Sequence, residues 1–150
     1  MSQILMKSFE ISAEAWKGKD LNNTFLDKKY FDRLNYFLEG CYPATLKDEI
    51  CGLYKYFPGM KNNAYDEHEF SFWTLEKSVR FSENLSPSKD FFCFADFLLE
   101  SIIYAISLRG STLGVVQIIN GNISSDVIAD SLDRFFSAYL INPGSIGIVL

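Results

Sequence analysis

Ser101-Ile102-Ile103-Tyr104-Ala105-Ile106-Ser107-Leu108, with Val115 to Ile119 and Asn120-Gly121 just beyond it, is the stretch whose reading decides the fold class of this chain. Ile102, Tyr104, Ile106 and Leu108 alternate with Ser101, Ile103, Ala105 and Ser107. That is the period of a sheet strand with at least one buried face. Val115 to Ile119 reads as a second strand, and Asn120-Gly121 is a strong type I′ hairpin signal. A further strand runs through Val127-Ile128. Upstream, Asp90 to Ala95 is a Phe-rich strand candidate. Glu69 to Trp73 is a short aromatic strand that leads into a helical turn around Leu75 to Phe81. Strands joined by tight turns pair antiparallel, which argues against a doubly wound sheet.

Working outward, the period changes from two to that of a helix. Within residues 25–39, Leu26, Tyr30, Leu34 and Leu38 recur every four positions, with Lys28, Lys29, Asp32 and Arg33 on the remaining surface. This is an amphipathic helix, with Thr24 as its expected N-cap and Gly40 as its stop. A second helix is expected from Pro43, carrying Leu46, Ile50, Leu53, Tyr54 and Phe57 on one side and ending at Pro58-Gly59. Lys61 to His68 reads as a surface loop. At the other end, Asp130 or Ser131 caps a last helix with Leu132, Phe135, Phe136, Tyr139 and Leu140 on its apolar face, stopped at Asn142-Pro143-Gly144. The order is helices, strands, then one helix. It implies an α+β fold: a mainly antiparallel sheet with N-terminal helices and a C-terminal helix packed on it. At 150 residues the chain is expected to form a single domain over 1–150, with residues 1–20 unassigned.

Composition excludes several classes of function. Hydrophobic residues make up 48% and charged residues 22%, which rules out a disordered chain. The formal charge of −5 argues against nucleic-acid binding, because phosphate affinity comes from clustered cations. The charge is unevenly placed. Through Lys61 there are 9 basic and 8 acidic residues, and from Asn62 onward there are 5 basic and 11 acidic. Cys41, Cys51 and Cys93 are an odd number without CxxC spacing, so they read as free thiols rather than a disulfide framework or a zinc site. The apolar start reaches Glu10 too soon for a signal peptide, and no run is long enough to span a membrane. A cytoplasmic protein with no membrane association is expected.

Catalytic patterns are equally sparse. His68 is the single histidine and stands among Asp66, Glu67 and Glu69, with no recognisable nucleophile attached to it. Cys93, in Phe91-Phe92-Cys93-Phe94, reads as an inert strand-core thiol. Asp66, Glu67 and Glu69 lack EF-hand spacing, and no P-loop, GxGxxG, GxSxG or HExxH motif occurs. Gly110 to Gly114 joins two strands instead of opening a helix, so it reads as a hairpin loop and not as a phosphate cradle. No enzymatic activity, cofactor or metal is expected; a small hydrolase using Cys93 or His68 is the weaker reading.

Two segments in order carry a resemblance. Phe91-Phe92-Cys93-Phe94-Ala95-Asp96 is followed by Ser101 and Tyr104-Ala105-Ile106. Val116 to Ile119 and Asn120-Gly121 are followed by Ile128-Ala129-Asp130-Ser131, Phe135 and Tyr139-Leu140. Together they resemble the SUKH superfamily, the group named for yeast cell-wall-assembly regulators and populated mostly by bacterial proteins. Tyr42-Pro43 and Phe70-Ser71-Phe72-Trp73-Thr74-Leu75-Glu76 are similar to its upstream parts. Ile102 and Leu132 stand where relatives often carry Trp and Phe, and both swaps keep apolar character. The resemblance implies an immunity protein that binds and neutralises a cognate polymorphic or contact-dependent toxin, often a nuclease or deaminase. The alternative it implies is a regulatory adaptor of the same fold without a toxin partner. Nucleic-acid-directed toxins carry cationic clefts, and an acidic surface steers such an encounter. The charge balance after Asn62 offers Asp66, Glu67, Glu69, Asp96, Glu100, Asp126 and Asp130 as partner-binding candidates. Helix capping is the competing role for Asp130, and support of a turn is the competing role for Asp96.

Overall fold

The computed structural model describes residues 28–56, 59–60, 65–66, 68–85, 89–109, 114–142 and 146. Five strands follow one another in space as they do along the chain: β1 (Phe70–Phe72), β2 (Phe91–Phe97), β3 (Ile102–Ser107), β4 (Gly114–Ile119) and β5 (Asn122–Ala129). Every neighbouring pair is antiparallel. The Met60 N–H donates to the Phe72 carbonyl (2.8 Å), adding one more backbone bridge outside β1. Four helices accompany the sheet: α1 (Lys28–Phe37), α2 (Thr45–Tyr56), α3 (Leu75–Leu85) and α4 (Leu132–Ile141). The α+β architecture read from the sequence is the one observed. Among the described residues no helix is long and apolar enough to cross a membrane.

Local chemistry explains most boundaries. Asn120 (φ 52°) and Gly121 (φ 77°) both take the positive φ that a type I′ turn requires, and they close β4 onto β5. Gly40 at φ 74° follows the end of α1. Ser131, not Asp130, caps α4, its hydroxyl accepting the Arg134 N–H at 3.2 Å. Asn142 closes that helix by donating its N–H to the Ala138 carbonyl (2.9 Å). The expected cap Thr24 and the stops Pro58 and Pro143-Gly144 lie outside the described residues.

One sheet face carries the main core. Phe92, Phe94, Tyr104, Ile106 and Val115 point from it toward Leu34, Phe37, Ile50, Leu53, Tyr54, Phe135 and Phe136 of the helices. The aromatics dominate the seam with α4. Phe72 meets Tyr139 edge-on at 4.9 Å between ring centroids, and Phe94 and Tyr104 each lie 5.2 Å from Phe135. Such pairs add about 0.5–1.5 kcal/mol beyond area burial. The opposite face buries a second cluster of Trp73, Cys93, Ile103, Ala105, Val116 and Ile118.

Two features depart from simple alternation. Cys93 pairs with Ala105 but Ala95 pairs with Tyr104, so Phe94 is an extra residue in β2. This bulge places Phe94 and Ala95 in the same cluster and turns Asp96 to the opposite face, beside Trp73. The second feature is α3, which the sequence suggested only as a turn to Phe81. It runs on to Leu85 and lies along the part of β2 that the short β1 leaves uncovered. There the Ser82 hydroxyl accepts the Cys93 backbone N–H at 2.8 Å. Leu75 and Val79 of α3 join the main core, and Phe81 and Leu85 pack with the second cluster.

Candidate functional site

The antiparallel order sends the 65–70 loop, the β2–β3 turn and the β4–β5 turn to one end of the sheet. Phe70 pairs with Phe97, and Ile102 pairs with Ile119. Four of the seven carboxylates singled out by charge balance gather at this end: Asp66, Glu69, Asp96 and Glu100. They divide into two buried and two exposed.

Asp66 is buried and fully engaged. Its Oδ1 accepts the backbone N–H groups of His68 (2.8 Å) and Phe70 (3.0 Å), and its Oδ2 accepts the Tyr139 hydroxyl. The Asp66 N–H also donates to the Phe70 carbonyl at 2.8 Å. One carboxylate thereby closes the 65–70 loop and ties it to α4. Asp96 is fully buried. Its Oδ1 accepts the Tyr65 hydroxyl (2.7 Å) and the Glu100 N–H (3.0 Å), and its Oδ2 accepts the Trp73 indole N–H (2.6 Å). Lys77 stands 4.0 Å from Oδ2, with its ammonium 4.6 Å from the Trp73 ring centroid and 3.1 Å from Glu100. Burial and the Asp96 carboxylate together raise the Tyr65 hydroxyl well above its ordinary value. Both aspartates are therefore internal braces, which takes them off the surface that a partner can touch. For Asp96, the turn-supporting role weighed from the sequence is the one the geometry assigns.

The turn that Asp96 braces is unusual. Leu98, Leu99 and Glu100 have φ of 51°, 52° and 64°, three successive left-handed residues without a glycine. Each such residue costs about 1–2 kcal/mol because Cβ crowds the following carbonyl oxygen. The conformation is held by the Asp96–Glu100 bond, by the Leu98 N–H donating to the Glu69 carbonyl (2.9 Å), and by the Ser101 hydroxyl and N–H donating to the Leu98 carbonyl (2.6 and 3.1 Å). Leu98 is 46% exposed and Leu99 74% exposed at its tip. Glu69 and Glu100 are exposed on either side. Sequence reasoning missed the two leucines. The signal in the sequence was a run of three apolar residues, Phe97-Leu98-Leu99, after a motif ending in aspartate.

The remaining candidates lie elsewhere. Glu67 is outside the described residues. Asp126 is exposed on β5, where residues 124–126 intervene between the pairs Val116–Val127 and Ile118–Ile123 against a single residue of β4. A charged bulge of this kind blunts an open sheet edge. Asp130 sits at the far end of the sheet, 3.8 Å from Arg134 in an ion pair with both side chains 76% exposed, which contributes little. Asp130 also borders a cavity of about 150 Å³ lined by Pro43, Leu46, Glu49, Ile106 and Ser131. Burial, reinforced by the Asp133 charge, holds the Glu49 carboxyl above its ordinary range.

The two residues weighed for catalysis lie in different environments. His68 is exposed in the 65–70 loop. Cys93 is fully buried on β2 opposite Ala105, and burial pushes its thiol up to about 12. Among the described residues, Cys41, Cys51 and Cys93 form no disulfide. Among the described residues, no group of three or more His, Cys, Asp or Glu is placed to hold a metal ion. Comparison of the chain with family models, with curated proteins and with solved structures finds no match in any of the three.

Proposed function

We propose that this chain is a non-enzymatic immunity protein of the SUKH type, acting in the cytoplasm by binding a cognate toxin whose active cleft is cationic, a nuclease or a deaminase. The observation that carries the reading is the end of the sheet where Glu69 and Glu100 stand exposed beside Leu98 and Leu99, on loops braced by two buried aspartates. A rigid acidic rim around apolar side chains suits protein docking. Its charges speed and orient the encounter, and its apolar atoms supply contact area. Asp126 on the β5 edge and Asp130 at the far end lie apart from this rim, and Asp66 and Asp96 serve as scaffolding beneath it. The deep burial of the Cys93 thiol weighs against Cys93 as a nucleophile.

Co-expression with toxin domains encoded immediately upstream tests the proposal. Protection of growth and a co-purifying complex are expected. Failure of every such domain to bind or to be neutralised overturns it. Association should slow as salt rises from about 0.05 to about 0.5 M, because screening shortens the reach of the rim charges. A salt-independent association rate removes charge steering from the account.

A further inference from the structure

We propose that the Leu98–Leu99 turn is an apolar anchor that inserts into a pocket of the partner protein rimmed by basic side chains. The inference rests on the reading of the chain as a binding protein and names the contact that reading leaves open.

Two independent preferences are violated at the same two residues. Leu98 and Leu99 occupy left-handed backbone, where glycine or asparagine is accommodated more readily. They also leave their side chains 46% and 74% exposed, outside both buried clusters of the fold. Neither backbone conformation nor core packing accounts for leucine here. A position that is unfavourable on both counts for the isolated chain points to a contact made with another molecule.

Other exposed apolar residues lack this combination. Tyr36 carries the Lys89 ammonium over its ring, at 3.5 Å from the centroid. Ile123 and Val127 lie on the bulged edge strand, and Ile141 is the last residue of α4. The turn is also set in advance. Glu69, Asp96 and Ser101 fix its backbone from three directions, so docking sacrifices little conformational freedom. Glu69 and Glu100 flank the tip; Lys77 lies 3.1 Å from Glu100 and 4.0 Å from Asp96, so one cation faces three carboxylates at this end and the complementary surface is an apolar pocket with cationic edges.

The test compares the wild-type chain with Leu98→Asn/Leu99→Gly and with Leu99→Met, using the upstream-encoded toxin domain as the probe. Each sample is measured by calorimetric titration, thermal melting and sedimentation. The double variant is expected to melt no lower than the wild type and to bind at least about tenfold more weakly, since a buried leucine is worth that much or more. Leu99→Met keeps an apolar tip and should retain binding. Wild-type binding with an unchanged double variant overturns the anchor and leaves the binding reading intact. A markedly lower melting temperature of the double variant makes the leucines structural and overturns the anchor. Wild-type self-association that the double variant abolishes identifies a second copy as the occupant and also overturns it. A wild-type chain that binds no upstream toxin domain overturns the binding reading, and the anchor falls with it.

Discussion

Replacing Asp96 by asparagine removes one charge and one acceptor from a site that supplies three donors. In the native protein the two carboxylate oxygens accept the Tyr65 hydroxyl, the Glu100 N–H and the Trp73 indole N–H, all within 3.0 Å. An asparagine retains one oxygen. If that oxygen serves Tyr65 and Glu100, its amide nitrogen faces the Trp73 N–H, and two donors meet head-on. The loss is one charge-assisted hydrogen bond together with a buried indole donor left without a partner. A hydrogen bond to a charged group contributes about 1.5–3 kcal/mol, which sets the expected destabilisation at about 2–3 kcal/mol. Asp96→Ala orphans all three donors. Tyr65 is only half-buried and can turn to solvent, so the cost is about 3–5 kcal/mol and not the full sum of three bonds. For a domain of this size the asparagine variant should melt about 5–10 °C lower.

Urea titration followed by tryptophan fluorescence reads the stability, because Trp73 lies in the perturbed network. Hydrogen exchange at the Glu100 amide reads the turn directly, since that N–H donates to Asp96. Exchange there should accelerate more than at core amides of β3. A stability within about 0.5 kcal/mol of wild type for Asp96→Asn would refute the argument that this carboxylate braces the sheet end, because ordinary surface substitutions fall in that range.

Tyr139→Phe deletes the hydroxyl that α4 donates to Asp66; a loss of about 1.5–3 kcal/mol is expected in urea unfolding, and a loss below about 0.5 kcal/mol means that the loop is held without α4. Glu49 is held above the usual carboxylate range, first by burial and then by Asp133, so the folded chain keeps its proton to higher pH than the unfolded chain does. The Glu49 contribution to stability therefore falls as pH rises from about 4 through that raised pKa. Glu49→Gln should exceed wild type at pH 7 and match it near pH 3, and parallel stability–pH curves would remove this penalty from the account. Cys93, fully buried with its thiol near 12, should react with a thiol reagent at pH 8 only at the rate of unfolding; prompt labelling of Cys93 in the native protein would contradict its burial.

Legibility differed sharply between fold and site. Ile102 to Leu108 announced a strand because every second side chain is apolar, and Asn120-Gly121 announced a hairpin because its residues tolerate positive φ. The buried faces of α1, α2 and α4 followed from helical spacing of Leu34, Ile50 and Phe135. The length of α3 was harder to see, because Ser78 and Ser82 interrupt its apolar stripe. Both are buried as hydrogen-bond partners, Ser78 to the Tyr54 hydroxyl and Ser82 to the Cys93 N–H, and neither partner is near them in sequence.

The sequence alone determined the elements that short-range physics controls: amphipathic helices, alternating strands, a tight hairpin, and an acidic second part of the chain. It could not separate a surface carboxylate from a buried one. Asp66 meets Tyr139 across 73 residues and Asp96 meets Trp73 across 23, so their neutralising donors exist only once the chain is folded. The bulge at Phe94 decided the rest. Strict alternation would point Asp96 into the same face as Phe92 and Phe94. One extra residue turns it to Trp73 instead, where its oxygens hold the left-handed turn that lifts Leu98 and Leu99 into solvent. A register shift of one residue is a property of paired strands, and a single strand does not encode it.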